Sequence, residues 1–102
     1  MKKIKLIPLQ QEFYKDDFRY VRFLTSEAAY LYIAFTVFQN KTLNIKTETD
    51  LHHIEVFTRR VDKDGYELFP ADSHFGISAW AFRMDQFQQS INLFHTLKIN
   101  NL

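Results

Sequence analysis

The chain has no cysteine among its 102 residues. That absence excludes a disulfide framework, a thiolate zinc site and a cysteine nucleophile together, and it suits a reducing compartment. Glycine appears only as Gly65 and Gly76. Phosphate-cradling loops need several glycines to let the backbone approach the anion, so dinucleotide and P-loop sites are excluded. Charge of one sign is lacking too. Thirteen Lys and Arg stand against twelve Asp and Glu, a formal net charge of +1. Such a chain has little field for non-specific phosphate binding, and DNA mimicry would need a strong acidic excess.

Long apolar runs are also missing. The longest, Ala28 to Phe38, has eleven residues including Thr36, well short of the roughly 20 that span a bilayer as a helix. The basic start Met1-Lys2-Lys3 is not followed by the apolar run and small-residue cleavage site of a secretory signal. No repeat, low-complexity tract or Pro/Gly/Ser linker divides the chain. The expectation is a single soluble, cytoplasmic domain over 1–102 with no membrane partner.

What is present in excess is aromatic: eleven Phe, five Tyr and Trp80. Each ring buries on the order of 150–250 Å². A two-layer domain of this size is not expected to hide all seventeen, so some should line a surface patch or groove. The plainer alternative is a Phe-rich core with singly exposed tyrosines.

Residues 2–9 alternate weakly and stop at Pro8, as a short edge strand or ordered arm would. Residues 12–24 are mixed, with Phe18 to Leu24 reading best as a strand. Thr25-Ser26-Glu27 supplies a helix-start signal ahead of the run 28–38. Periodicity cannot settle a run that is apolar all round, and its length favours a buried helix over a strand. Residues 43–47 and 54–61 read as strands. Asp62-Lys63-Asp64-Gly65 is the clearest turn, with Tyr66 to Phe69 returning as the partner strand. Residues 70–76 form a loop and 77–83 a further strand. Asp85 can cap a helix in which Phe87, Ile91, Phe94 and Leu97 recur at helical spacing, with Gln88, Gln89, Asn92 and His95 on the other faces. The predicted class is α+β: a two-layer sandwich, with a mostly antiparallel sheet of about five strands and two helices, about 26–39 and 85–97.

Glu48, Asp50, His52, His53 and Glu55 form the densest ionisable cluster. In an extended segment Asp50 and His52 share one face, His53 and Glu55 the other. Neither face then holds the four ligands of a structural zinc site, and a solvated strand start is expected. Asp72-Ser73-His74 has the residue types of a hydrolase triad, but neighbours in a loop do not converge as a triad must. Asp72 and Ser73 read instead as turn formers. No catalytic residue, metal site or cofactor is expected, and the chain is not read as an enzyme.

Arginine beside aromatic rings is the composition of interface hot spots, and of RNA contacts in which bases stack on rings. The candidate partner-binding residues are therefore Arg19, Arg22, Arg59, Arg60, Tyr66, Trp80 and Arg83. Alternation places Arg19 with Val21 and Phe23 on one face, and Tyr20 with Arg22 on the other. The expected function is a non-catalytic protein-interaction module. Its narrowest form is a small mobile-element-encoded inhibitor or accessory protein, anti-CRISPR-like, that docks on a larger bacterial protein or protein–RNA complex. Direct RNA contact and a homodimer are both compatible with it. The alternative is a small-ligand-binding domain, weakly enzymatic at most, with an aromatic-lined pocket between helix and sheet and with His53 and His74 as residues of interest.

Overall fold

The computed structural model describes residues 7–40 and 45–97, leaving aside the side chains of 38–40 and 45–50. Five strands pair antiparallel in chain order: β1 (Glu12–Lys15), β2 (Phe18–Thr25), β3 (Ala29–Asn40), β4 (Ile45–Thr58) and β5 (Ala79–Arg83). One α-helix follows, α1 (Phe87–Thr96), entered through a 3-10 turn at Met84–Gln86. The α+β class and the five-strand sheet therefore stand. Among the described residues no helix is long and apolar enough to cross a membrane.

The expected helix over 26–39 is instead strand β3. The reason lies in what covers the sheet. Tyr30, Tyr32 and Ala34 pack on one face with Tyr20 and Phe57, while Leu31 packs on the other with Ile54, Val56 and Phe94. A strand buried on both faces loses its polar alternation and reads as a continuous apolar run. Its density of aromatic and β-branched residues was the surviving strand signal.

Helix α1 covers the second of these faces, where Phe87, Ile91, Phe94 and Leu97 meet the sheet as their spacing requires. Gln88, Gln89, Asn92 and His95 face outward, as expected. Asp85 does not cap the helix; it lies in the 3-10 turn and pairs with Arg83 at 3.1 Å. The other face is covered without a helix, by Leu9, Phe13, Phe69 and Phe75. Its rings interlock: Tyr32 stacks on Phe57 at 5.6 Å between centroids, and Phe69 meets Phe57 edge-on at 5.3 Å. Such pairs contribute about 0.5–1.5 kcal/mol each beyond their buried area.

The Asp62–Gly65 turn forms, with Gly65 at φ 88° and Asp62 Oδ1 accepting from the N–H groups of Asp64 and Tyr66 at 2.8 and 3.0 Å. Its return does not become the partner of β4. Glu67 makes a single antiparallel bridge to Val61, and β5 takes the β4 edge instead. The strands expected over 43–47 and 54–61 are parts of one long β4, residues 43 and 44 lying outside the described set. The strand expected over 2–9 lies mostly outside it as well; Ile7 bridges Tyr66 in parallel. β1, by contrast, has no counterpart in the sequence reading. It is joined to β2 through Asp16 and Asp17 at φ 54° and 65°, the paired positive φ of a type I′ hairpin.

Candidate functional site

The seven candidate residues do not form one patch. Arg19 shares the helix-covered face with Val21; it pairs with Glu12 at 2.8 Å and lies 5.7 Å over the Phe35 ring. Arg22 points to the opposite face, 5.2 Å over Tyr30, and donates to the Leu9 carbonyl at 3.2 Å. Arg83 is exposed and held by Asp85. Tyr66 is half exposed beside the 62–65 turn. The structure does bring three of the seven together: Arg59, Arg60 and Trp80 line one open cleft of about 640 Å³.

Four pieces of chain build that cleft. The β2–β3 turn brings Glu27, the segment just after β4 brings Arg59 and Arg60, the start of β5 and its approach bring Trp80 and Ile77, and the residue after α1 is Leu97. A second hollow of about 340 Å³ is lined by Glu27, Arg59, Val61 and Glu67. Glu27 and Arg59 line both, so the two adjoin. Ile77 is the most exposed large apolar side chain among the described residues, at 78%. The sequence reading places Ile77 at the start of a strand; β5 begins only at Ala79 and leaves it outside.

The two arginines of the cleft differ in role. Arg59 is structural. Its Nε donates to Glu67 Oε2 at 2.7 Å, its Nη1 donates to the Ser26 carbonyl at 2.9 Å, and its guanidinium lies 4.6 Å over Tyr30. Glu67 also accepts from the Tyr30 hydroxyl, and from the Leu9 N–H at 3.2 Å. Burial by itself would raise the Glu67 pKa, but these donors, Arg59 foremost, hold it below the usual carboxylate range. Burial and the hydrogen bond to Glu67 push the Tyr30 hydroxyl up to about 12. Arg60 is exposed; its Nη1 sits 2.9–3.0 Å from the ring nitrogens of His74. Among the described residues it meets no carboxylate.

Two other clusters were singled out in the sequence. Asp72-Ser73-His74 is a 3-10 turn in which His74 Nδ1 accepts from the Ala71 N–H at 3.0 Å, with Asp72 and Ser73 exposed. No nucleophile–base–acid line exists there. His52 and His53 do not lie on opposite faces, because β4 carries a bulge at this point. Ala34 pairs with His53 and Phe35 with Leu51, which leaves His52 as an extra residue. Both imidazoles turn toward Phe18, at 4.6 and 5.1 Å between centroids. The side chains of Glu48 and Asp50 lie outside the described set. Among the described residues no group of three or more acidic or imidazole side chains is placed to hold a metal ion.

The helix–sheet layer, where an aromatic-lined pocket was the alternative expectation, is filled by Phe94, Leu31, Ile54 and Val56. The cleft opens at the end of that layer. No family model matches this chain, and no curated protein or solved structure shows significant similarity to it.

Proposed function

We propose that the protein is a non-catalytic interaction module that docks on a larger protein or protein–RNA complex through the cleft around Arg60, Ile77 and Trp80. One observation carries this reading: an exposed aliphatic anchor and a cation that meets no carboxylate among the described residues share one concave surface. Exposed apolar side chains beside arginine and tryptophan are the make-up of interface hot spots. The matching partner segment presents an apolar side chain next to an acidic one. Near-neutral net charge argues for covering a protein surface or a guide-RNA groove, not for imitating DNA. A CRISPR nuclease, inhibited by a mobile-element product, is the first partner to try.

The test is a pull-down from native-host lysate, with and without RNase, using the wild type and an Arg60→Glu, Ile77→Asp double variant. Both side chains are exposed, so the variant should keep its fold, which circular dichroism checks. Loss of a stoichiometric partner from the variant alone supports the cleft. Equal recovery by both proteins removes the cleft from the interface. The cleft volume also lies in the range of small-ligand pockets, which supports a ligand-binding domain as second reading. Recovery of bait alone, with stabilisation by one compound in a thermal-shift panel, would favour that reading.

A further inference from the structure

The bulge in β4 creates an arrangement that simple alternation forbids. His52 Nδ1 and His53 Nδ1 face each other at 2.7 Å. The second nitrogen of His53, Nε2, is 2.7 Å from Glu55 Oε2. Glu55 is 5% exposed, and its Oε2 also accepts from the Tyr20 hydroxyl at 3.0 Å. Its other oxygen, Oε1, is buried with no hydrogen-bond partner. A buried carboxylate is costly unless positive charge or donors compensate it. Among the described residues only the Tyr20 hydroxyl and the His53 Nε2 meet it, both at the same oxygen.

We propose that His52 and His53 form a two-imidazole site for a divalent transition-metal ion, with Glu55 orienting His53 from behind. A ligating histidine almost always gives its remaining N–H to a carboxylate, which fixes the tautomer and makes the ligand nitrogen more basic. His53 has its Nε2 at 2.7 Å from Glu55 Oε2, so the tautomer with Nε2–H on the carboxylate leaves the Nδ1 lone pair for the metal in place of its contact with His52 Nδ1. Tyr20 and Phe18 keep that pair in place, Tyr20 through its hydroxyl and Phe18 through its ring. His52 is exposed, so it can turn its Nδ1 lone pair to the metal and leave its proton on Nε2 in water. No net proton is then released when both rings start neutral.

Spacing decides which metal suits the pair. Adjacent nitrogens around a tetragonal ion with bonds near 2.0 Å are about 2.8 Å apart, whereas a tetrahedral ion needs about 3.3 Å. As they stand, without a metal, the two nitrogens are at hydrogen-bond distance, 2.7 Å, nearer the tetragonal spacing than the tetrahedral one. Cupric ion is accordingly the best occupant, since it prefers that geometry and tops the affinity order for nitrogen ligands. Water would complete its coordination. The dication would also place positive charge one ring away from the buried carboxylate. Across the ladder Arg83 is in register with His53, and its guanidinium is engaged by Asp85. This site lies on the face opposite helix α1 and does not depend on the cleft reading.

The experiment is titration of the untagged chain with Cu²⁺, followed by calorimetry and by electron paramagnetic resonance. The expected result is one tight equivalent with the hyperfine pattern of two nitrogens. His52→Ala and His53→Ala should each lose at least tenfold in affinity and reduce the pattern to one nitrogen. Glu55→Gln should keep two nitrogens but weaken binding about 10–100-fold. Should Glu55→Gln fail to fold, Tyr20→Phe serves in its place, with a smaller weakening in the same direction. A His74→Ala, His95→Ala variant should bind as wild type does. The proposal is overturned if the His52→Ala, His53→Ala double variant keeps the tight equivalent, or if wild type shows none.

Discussion

Arg59 and Glu67 are joined by a 2.7 Å hydrogen bond across eight residues of chain, with the Glu67 side chain only 2% exposed. The pair fastens the 59–67 segment over the face that no helix covers. Removing one partner of a buried pair leaves the other uncompensated, typically at about 3–5 kcal/mol. Glu67→Ala should therefore cost a few kcal/mol, the partial exposure of Arg59 placing it toward the lower figure. Urea unfolding measures this. A loss below about 1 kcal/mol would show the pair to behave like an exposed one. The same linkage is why the interface test above changes Arg60 and leaves Arg59 intact.

The pH response follows from the same carboxylate. The Glu67 pKa is lowered from its ordinary 4.5, so the folded state binds the proton less readily than the unfolded chain. Its stabilisation is fully present above that ordinary value and fades as pH falls through the folded one. The wild type should lose stability on acidification below about pH 4.5 more steeply than Glu67→Gln. Parallel acid-unfolding curves for the two proteins would refute this assignment. In the alkaline range Tyr30 acts in the opposite sense. Its stabilisation is present below the ordinary 10.0 and lost as pH rises through about 12. A Tyr30→Phe variant should be less sensitive over that interval.

Core position and surface position separate Phe57 from Phe23. Phe57 is 1% exposed and touches Tyr30, Tyr32 and Phe69, whereas Phe23 is 52% exposed and meets Phe87 at 5.8 Å. Phe57→Ala should cost about 3–5 kcal/mol, and Phe23→Ala no more than about 1.5 kcal/mol. Comparable losses in thermal denaturation would mean that α1 depends on Phe23 far more than its exposure implies.

The β1–β2 turn can be improved. Asp16 and Asp17 both hold positive φ, where glycine has no steric penalty and the second turn position favours it. Asp17→Gly should stabilise by no more than about 1 kcal/mol, because relief at positive φ is partly offset by the greater freedom glycine gives the unfolded chain, and Tm should rise slightly. A fall in Tm would show that the Asp17 side chain contributes something its backbone does not.

Much of this fold was legible in the residues, and the exceptions have physical causes. Helix α1 was readable because a single covered face leaves the 3.6-residue pattern intact, as Phe87, Ile91 and Phe94 show. The Asp62–Gly65 turn was readable because only certain residues tolerate its φ. Strand β3 was not, since packing on both faces erased its alternation. β1 escaped notice because Glu12 to Lys15 is mostly exposed and too short for a pattern. At the cleft, Arg59, Arg60 and Trp80 were named from composition. Their separation into one structural cation and one exposed one needed the position of Glu67. The pairing of His52 with His53 depends on one unpaired residue in the β4 ladder, and nothing in the sequence marks where a register shift falls.

Strand order equal to chain order has a kinetic consequence. β1 to β4 each meet their sequence neighbour across a short connection, so their pairing closes small loops at little entropic cost. β5 reaches β4 only after the 59–78 excursion. We expect the four-strand meander to form ahead of the rate-limiting barrier and β5 with α1 to consolidate after it. Substitutions such as Tyr32→Phe should then slow folding, while Phe94→Leu should chiefly speed unfolding; the reverse assignment in stopped-flow chevrons would place the nucleus at the helix.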